Sequence, residues 1–117
     1  MKAIVCGGRE YNNKDILFEV LDRVDPDDVI EGGAHGADAL ACLWAVDRDR
    51  VHVQVNAEWS KHGKGAGPIR NSVMLGYNPD VVIAFPGGRG TANMIKQAKE
   101  AGVPVNRVVI SWKLEEE

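Results

Sequence analysis

Three times in this chain a short apolar run breaks into glycines and then resumes with helical spacing. That repeated unit limits the available folds more than any other feature. Lys2–Cys6 runs into Gly7-Gly8-Arg9, and Val29-Ile30 into Glu31-Gly32-Gly33-Ala34-His35-Gly36-Ala37-Asp38. Val81–Phe85 runs into Pro86-Gly87-Gly88-Arg89-Gly90-Thr91. The last apolar run is uninterrupted and rich in β-branched residues, so it predicts a strand buried on both faces. Strands that alternate with helices imply right-handed crossovers and a parallel sheet covered on both sides. The expected class is therefore α/β, with one doubly wound, mainly parallel five-stranded sheet.

The connecting segments fill in the order of elements. Asn12 or Asn13 can cap a helix in which Ile16, Leu17, Val20, Leu21 and Val24 repeat at helical spacing. After Gly36, a helix carries Leu40, Ala41, Leu43 and Trp44 towards the core. Val51, Val53 and Val55 alternate with His52, Gln54 and Asn56, the pattern of a half-exposed edge strand. From Ala57 to Gly67 a loop of about ten residues is expected, a length that usually signals function. Pro68 suits the first turn of a helix running to Tyr77, with Ile69, Val73 and Met74 inward. Thr91 is expected to cap a helix ending near Ala101, with Gly102 in the C′ position. Val103 to Ile110 supplies a last strand. Residues 1–112 thus form one domain, and 113–117 a charged tail.

In a sheet of this kind the loops leaving the carboxyl ends of the strands collect at one edge, where ligands bind. Glycines let backbone N–H groups approach a phosphate closely, and a helix N-terminus favours negative charge. Gly87, Gly88, Arg89, Gly90 and Thr91 form such a turn, with an arginine inside it and a hydroxyl at its end. The spacing matches neither a P-loop nor the dinucleotide fingerprint, because no Lys-Ser/Thr pair follows and the turn is shorter. A tight strand-to-helix turn without ligand is the alternative. Gly8 and Arg9, then Gly33, His35, Gly36 and Asp38, and finally Trp59, Arg70 and Asn71 join the same predicted edge. Asp38 also suits a helix-capping role, and His35 a solvated loop position. Arg70 has as its alternative a surface ion pair with a carboxylate such as Glu58.

Charge narrows the function classes. A net charge of −3 and a pI near 5.6 argue against a dedicated nucleic-acid binder, although a basic cluster spans Lys61 to Arg70. The two cysteines, Cys6 and Cys42, fall in a strand and a helix and are expected as buried free thiols of a reducing cytoplasm. Three histidines and two cysteines scattered without ligand spacing predict no metal site, and no cofactor is implied. No segment approaches the roughly 18 apolar residues of a membrane span, and no signal peptide opens the chain.

These motifs together resemble the SLOG superfamily, most closely its cpYpsA-related branch, over about residues 1–109. The matching pieces are Gly8-Arg9, Gly32-Gly33-Ala34-x-Gly36-Ala37-Asp38, and Trp59-x-x-x-Gly63-x-x-Ala66-Gly67-x-x-Arg70-Asn71-x-x-Met74. Asp80 and Gly87-Gly88-x-Gly90-Thr91 complete them. The resemblance implies a Rossmann-like domain that binds a nucleotide or nucleotide-derived small molecule. Relatives include the LOG phosphoribohydrolases, which cleave the base from a nucleoside monophosphate, and a DNA-processing protein that binds single strands. LOG-like relatives associate through helices, so a homodimer is expected. The LOG enzymes carry Arg-Lys before the central strand and Pro-Gly-Gly-x-Gly-Thr-x-x-Glu after it. Here Arg70 and Pro86–Thr91 match, but Asn71 stands for the lysine and Met94 for the catalytic glutamate. The resemblance therefore implies ligand binding, by a sensing or sequestering module. A LOG-like hydrolase remains the alternative, with its carboxylate supplied by Glu58 or Asp38. A single-stranded nucleic-acid module using Arg9, Lys61, Lys64, Arg70 and Trp59 is the third reading.

Overall fold

The computed structural model describes residues 1–109, so Ile110 and the expected 113–117 tail lie outside the described residues. The elements are β1 (Lys2–Cys6), α1 (Lys14–Val24), β2 (Asp28–Glu31), α2 (Ala37–Asp47) and β3 (Val51–Gln54). Then come α3 (Trp59–His62), a 3-10 turn (Gly63–Gly65), α4 (Ala66–Leu75), β4 (Val81–Ala84), α5 (Arg89–Glu100) and β5 (Val105–Arg107). The sheet order is β3-β2-β1-β4-β5, and every neighbouring pair is parallel. This is the doubly wound, Rossmann-like α/β fold expected, with β3 at an edge. Among the described residues, no helix is long and apolar enough to cross a membrane.

The period of two along each strand divides the core into two layers. Ala3, Val5, Val29, Val81 and Ile83 face α1 and α2, meeting Leu17, Leu21, Ala41 and Trp44. Ile4, Cys6, Ile30, Val82 and Ala84 face the other way, meeting Met74 of α4 and Met94 and Ala98 of α5. Trp44 is fully buried, and its indole N–H donates to Asp22 of α1 at 2.8 Å, which ties the two helices of the first layer together.

Several local expectations need correction. Leu43 is 46% exposed because α2 turns Ala37, Ala41, Trp44 and Ala45 inward, and Leu43 falls on the opposite face. Small inward residues let that helix approach the sheet closely. Similarly, α4 buries Ala66, Gly67, Asn71 and Met74, leaving Ile69 and Val73 outside. The expected loop from Ala57 to Gly67 is largely α3 and the 3-10 turn, joined to α4. Thr91 is not the cap of α5: Gly88 is, and Thr91 lies buried in the first turn. Asn13 caps α1 as expected, its Oδ1 accepting from the Ile16 N–H, and Gly102 adopts a φ of +75°. Of the last strand, Val105–Arg107 are paired. Cys6 is buried, but Cys42 is half-buried; neither forms a disulfide.

Candidate functional site

Sheet order reverses between β1 and β4. In open α/β sheets, ligands bind outside the carboxyl ends of the strands at such a switch point. Here the two strands carry their pairing into the glycine turns beyond them. The Phe85 N–H donates to Cys6 O, and the Gly8 N–H to Pro86 O, both at 2.8 Å. The carbonyl of Gly8 accepts from Tyr11 and Ala37, which fastens the start of α2 to the same turn. Two glycines are required by this packing. A Cβ on Gly87 would run into the Thr91 hydroxyl and come within 2.6 Å of the Gly8 nitrogen. Gly36 has a φ of +75°, and a Cβ there would collide with the carbonyls of Gly8 and Arg9.

A crevice of about 570 Å³ opens at this edge. One wall is the start of α5. Its cap is a glycine, so no side chain satisfies the N–H groups of the first turn, and Arg89, Gly90 and Thr91 border the cavity. The opposite wall is Gly32 to Ala34, with Asn56 and Ala57 beyond β3.

Arg70 and Asn71 join the walls. The Arg70 guanidinium donates to the Gly32 carbonyl at 2.7 Å and to Asn71 Oδ1 at 2.9 Å. Asn71 Nδ2 donates to the Gly90 carbonyl at 3.2 Å and to Asn93 Oδ1 at 3.1 Å. One residue pair of α4 therefore ties the loop after β2 to the α5 turn. No bond links Arg70 to Glu58. Trp59 is 50% exposed, and its ring lies over Gly67 at the crevice mouth.

Asp38 supplies a carboxyl beneath these groups. It is only 5% exposed, and its Oδ2 accepts from the Ala34 N–H at 3.2 Å. Burial is the main cause that raises its pKa to about 6, with the neighbouring Glu31 adding to it and Arg70 opposing. The Cys6 thiol at the crevice floor is pushed up to about 12, also by burial, so it is a poor nucleophile at neutral pH.

The structure brings Gly8, Arg9, Gly33, Asp38, Trp59, Arg70, Asn71, Gly88, Arg89, Gly90 and Thr91 onto one cavity. His35, Gly36, Gly87 and Glu58 do not line it. Gly36 and Gly87 stand behind the wall as packing glycines. His35 is exposed. Glu58 precedes α3 and is exposed, with its carboxylate 3.9 Å from Lys61 Nζ. Beyond the candidate residues, Cys6, Gly7, Gly32, Ala34, Asn56, Ala57, Gly67 and Met74 also line it. For Gly32 and Gly67 the repeated glycine turns were a usable signal. Asn56 had only its place after the edge strand.

A family model described as the YspA, cpYpsA-related SLOG family matches residues 1–62. The Gene 61 protein of Mycobacterium phage D29 is 34% identical over 116 residues, spanning 89% of this chain and 93% of that protein. Among solved structures, the DNA processing protein A of Streptococcus pneumoniae superposes with a TM-score of 0.78 at 17% identity. The match covers 92% of this chain and 50% of that one, so this chain spans about half of the neighbour's length.

Proposed function

For this chain, which belongs to the YspA, cpYpsA-related SLOG family, we propose binding of a phosphate-containing nucleotide or nucleotide-derived small molecule in the switch-point crevice. The protein then acts as a sensor or sequestering module. The observation that carries this reading is the convergence of the uncapped α5 turn with Arg70 and Arg89 on one cavity. In this reading Gly88, Arg89, Gly90 and Thr91 receive the phosphate with Arg70, while Asp38, Gly33 and Asn56 face the rest of the ligand. The half-exposed Trp59 stacks on its base. A thermal-shift series with AMP, ADP-ribose, NAD and cyclic nucleotides tests it. A ligand at 100 times its Kd adds about 2.7 kcal/mol of stability. No shift with any of them overturns the proposal.

Asp38 favours a second reading, N-glycosidic hydrolysis of a nucleoside monophosphate. A carboxyl held near 6 suits general acid–base work. Met94, at the position of the LOG glutamate, is fully buried in the core and offers no acid. Release of free base that Asp38→Asn abolishes and Glu58→Gln leaves intact would favour hydrolysis over sensing. The likeness to DNA processing protein A supports a third reading, in which Trp59 and the basic residues near it take a single strand. Salt-sensitive oligonucleotide binding is its test. Two free thiols accord with a cytoplasmic location. The exposed Ile69, Val73 and Tyr77 support a homodimer through α4, which light scattering at tens of micromolar checks.

A further inference from the structure

The fold assembles Glu31, Cys42 and His52 on the α1/α2 side of the sheet, away from one another in sequence and outside the crevice lining. One ligand-type atom from each lies within 4.8 Å of the other two. Glu31 is the last residue of β2 and only 1% exposed. A carboxylate so deeply buried is costly unless its oxygens are engaged. Its Oε1 accepts from the Gly33 N–H, and its Oε2 meets His52 Nε2 at 2.6 Å. The other ring nitrogen of His52 stands 3.9 Å from the Cys42 thiol. His52 lies on the edge strand β3 and Cys42 on α2, both half-buried, so the cluster has a deep side and an open side.

We propose that Glu31, Cys42 and His52 form a Zn²⁺-binding site at the β3 edge of the sheet. Carboxylate, imidazole and thiolate together suit a borderline-soft cation better than Mg²⁺ or Ca²⁺, which take oxygen donors. Two anionic ligands neutralise the ion, so the buried carboxylate gains a partner of full opposite charge. The Cys42 thiol loses its proton to solvent as the metal binds, and Glu31 and His52 ligate in their unprotonated forms. Tetrahedral zinc places its oxygen and nitrogen donors about 3.3 Å apart. An imidazole offers one nitrogen to an ion, here Nε2, so the Glu31–His52 pair must open by about 0.7 Å from its 2.6 Å separation and the Cys42 thiol, which faces Nδ1 at 3.9 Å, must turn towards the ion. His52 can supply that movement, since it sits on an edge strand with no paired strand on its outer side among the described residues. Glu31 keeps Oε1 on Gly33 throughout, the kind of supporting hydrogen bond that orients ligating carboxylates. The fourth position faces the open side and takes water.

Cobalt tests this on the full chain after chelator treatment and dialysis. Titration with Co²⁺ should develop a thiolate-to-cobalt charge-transfer band that saturates at one ion per chain and disappears when Zn²⁺ is added. Cys42→Ser should lose that band while keeping the wild-type far-ultraviolet dichroism. His52→Gln should weaken Co²⁺ binding at least 10-fold. No such band in the wild-type protein overturns the proposal. A band that survives Cys42→Ser also overturns it, because the ligand is then Cys6 in the crevice. If His52→Gln binds as well as wild type, the three-ligand site is likewise refuted.

Discussion

Replacing Arg70 by alanine should lower both stability and ligand affinity, and the two losses can be measured apart. Arg70 spends two of its five N–H groups on protein partners, the Gly32 carbonyl and Asn71 Oδ1, which leaves three for a ligand. Gly32 is buried, so removing its charged donor leaves a carbonyl without that partner, at a cost of about 1–3 kcal/mol. The guanidinium is half-exposed, and solvent screening holds the charged part of each bond near the low end of its range. Arg70→Ala should thus destabilise the fold by about 2 kcal/mol. Out of a typical 5–15 kcal/mol, the domain stays folded. Urea unfolding followed by tryptophan fluorescence suits the measurement, since Trp44 is fully buried. On the ligand side, losing a charged hydrogen bond to phosphate weakens binding by about 1.5–3 kcal/mol, or about 10- to 150-fold in Kd. Calorimetry at 25 °C with the strongest nucleotide of the thermal-shift series reads this on the folded variant. Arg70→Lys should restore only part of each loss, because one ammonium cannot serve the Gly32 carbonyl and a phosphate as a planar fork does. An unchanged urea midpoint would show that the Gly32 bridge contributes nothing. Unchanged affinity in Arg70→Ala would place the phosphate on the α5 turn alone.

Two further substitutions test the architecture around the crevice. Gly36→Ala forces a side chain into a φ of +75° and against the Gly8 and Arg9 carbonyls, so it should destabilise by about 1–3 kcal/mol, read by the same urea titration. Asp38 has its folded pKa raised from 3.8 to about 6, so the native state binds the extra proton between those values. Stability contributed by this group therefore falls as pH rises from about 4 to about 6 and then levels. Asp38→Asn removes that dependence. Its unfolding free energy relative to wild type should rise by about 2 kcal/mol from pH 4 to pH 7, and a difference independent of pH would contradict the assignment.

Periodicity made the fold legible and left inward-facing helix residues ambiguous. The Val81–Ala84 run had to be a doubly covered strand, and the repeated glycine breaks required parallel crossovers. Hydrophobicity then misplaced Leu43, Ile69 and Val73, because it assumes that every large apolar residue points inward, as Trp44 and Met74 do. In α2 and α4 the close approach to the sheet selects alanine and glycine for that face instead. The same crowding explains Thr91. A threonine after a glycine turn looks like a cap, but Gly88 takes that place, and the Thr91 hydroxyl occupies the space that a side chain on Gly87 would need.

The crevice was legible as four segments but not as one bonded unit, and the difference lies in what holds it. Its struts run from side chain to backbone: Arg70 to the Gly32 carbonyl, Asn71 to the Gly90 carbonyl, Asp38 to the Ala34 N–H. A backbone group carries no residue identity, so a sequence cannot announce which carbonyl an arginine will find 38 positions away. The distinction bears on Asn71. Where LOG enzymes carry a lysine, this chain has an amide that both accepts from Arg70 and donates to the α5 turn. A lysine has donors only and could not accept the guanidinium N–H. The exchange of Lys for Asn thus couples Arg70 to the glycine turn, so that the cationic fork and the helix N-terminus hold a fixed relative position before any ligand arrives. Such preorganisation lowers the ordering cost of gripping an anion. In the proposed sensing role, this fixed pair and the buried Met94, which stands where the LOG resemblance would put a glutamate, both favour holding a ligand over turning it over.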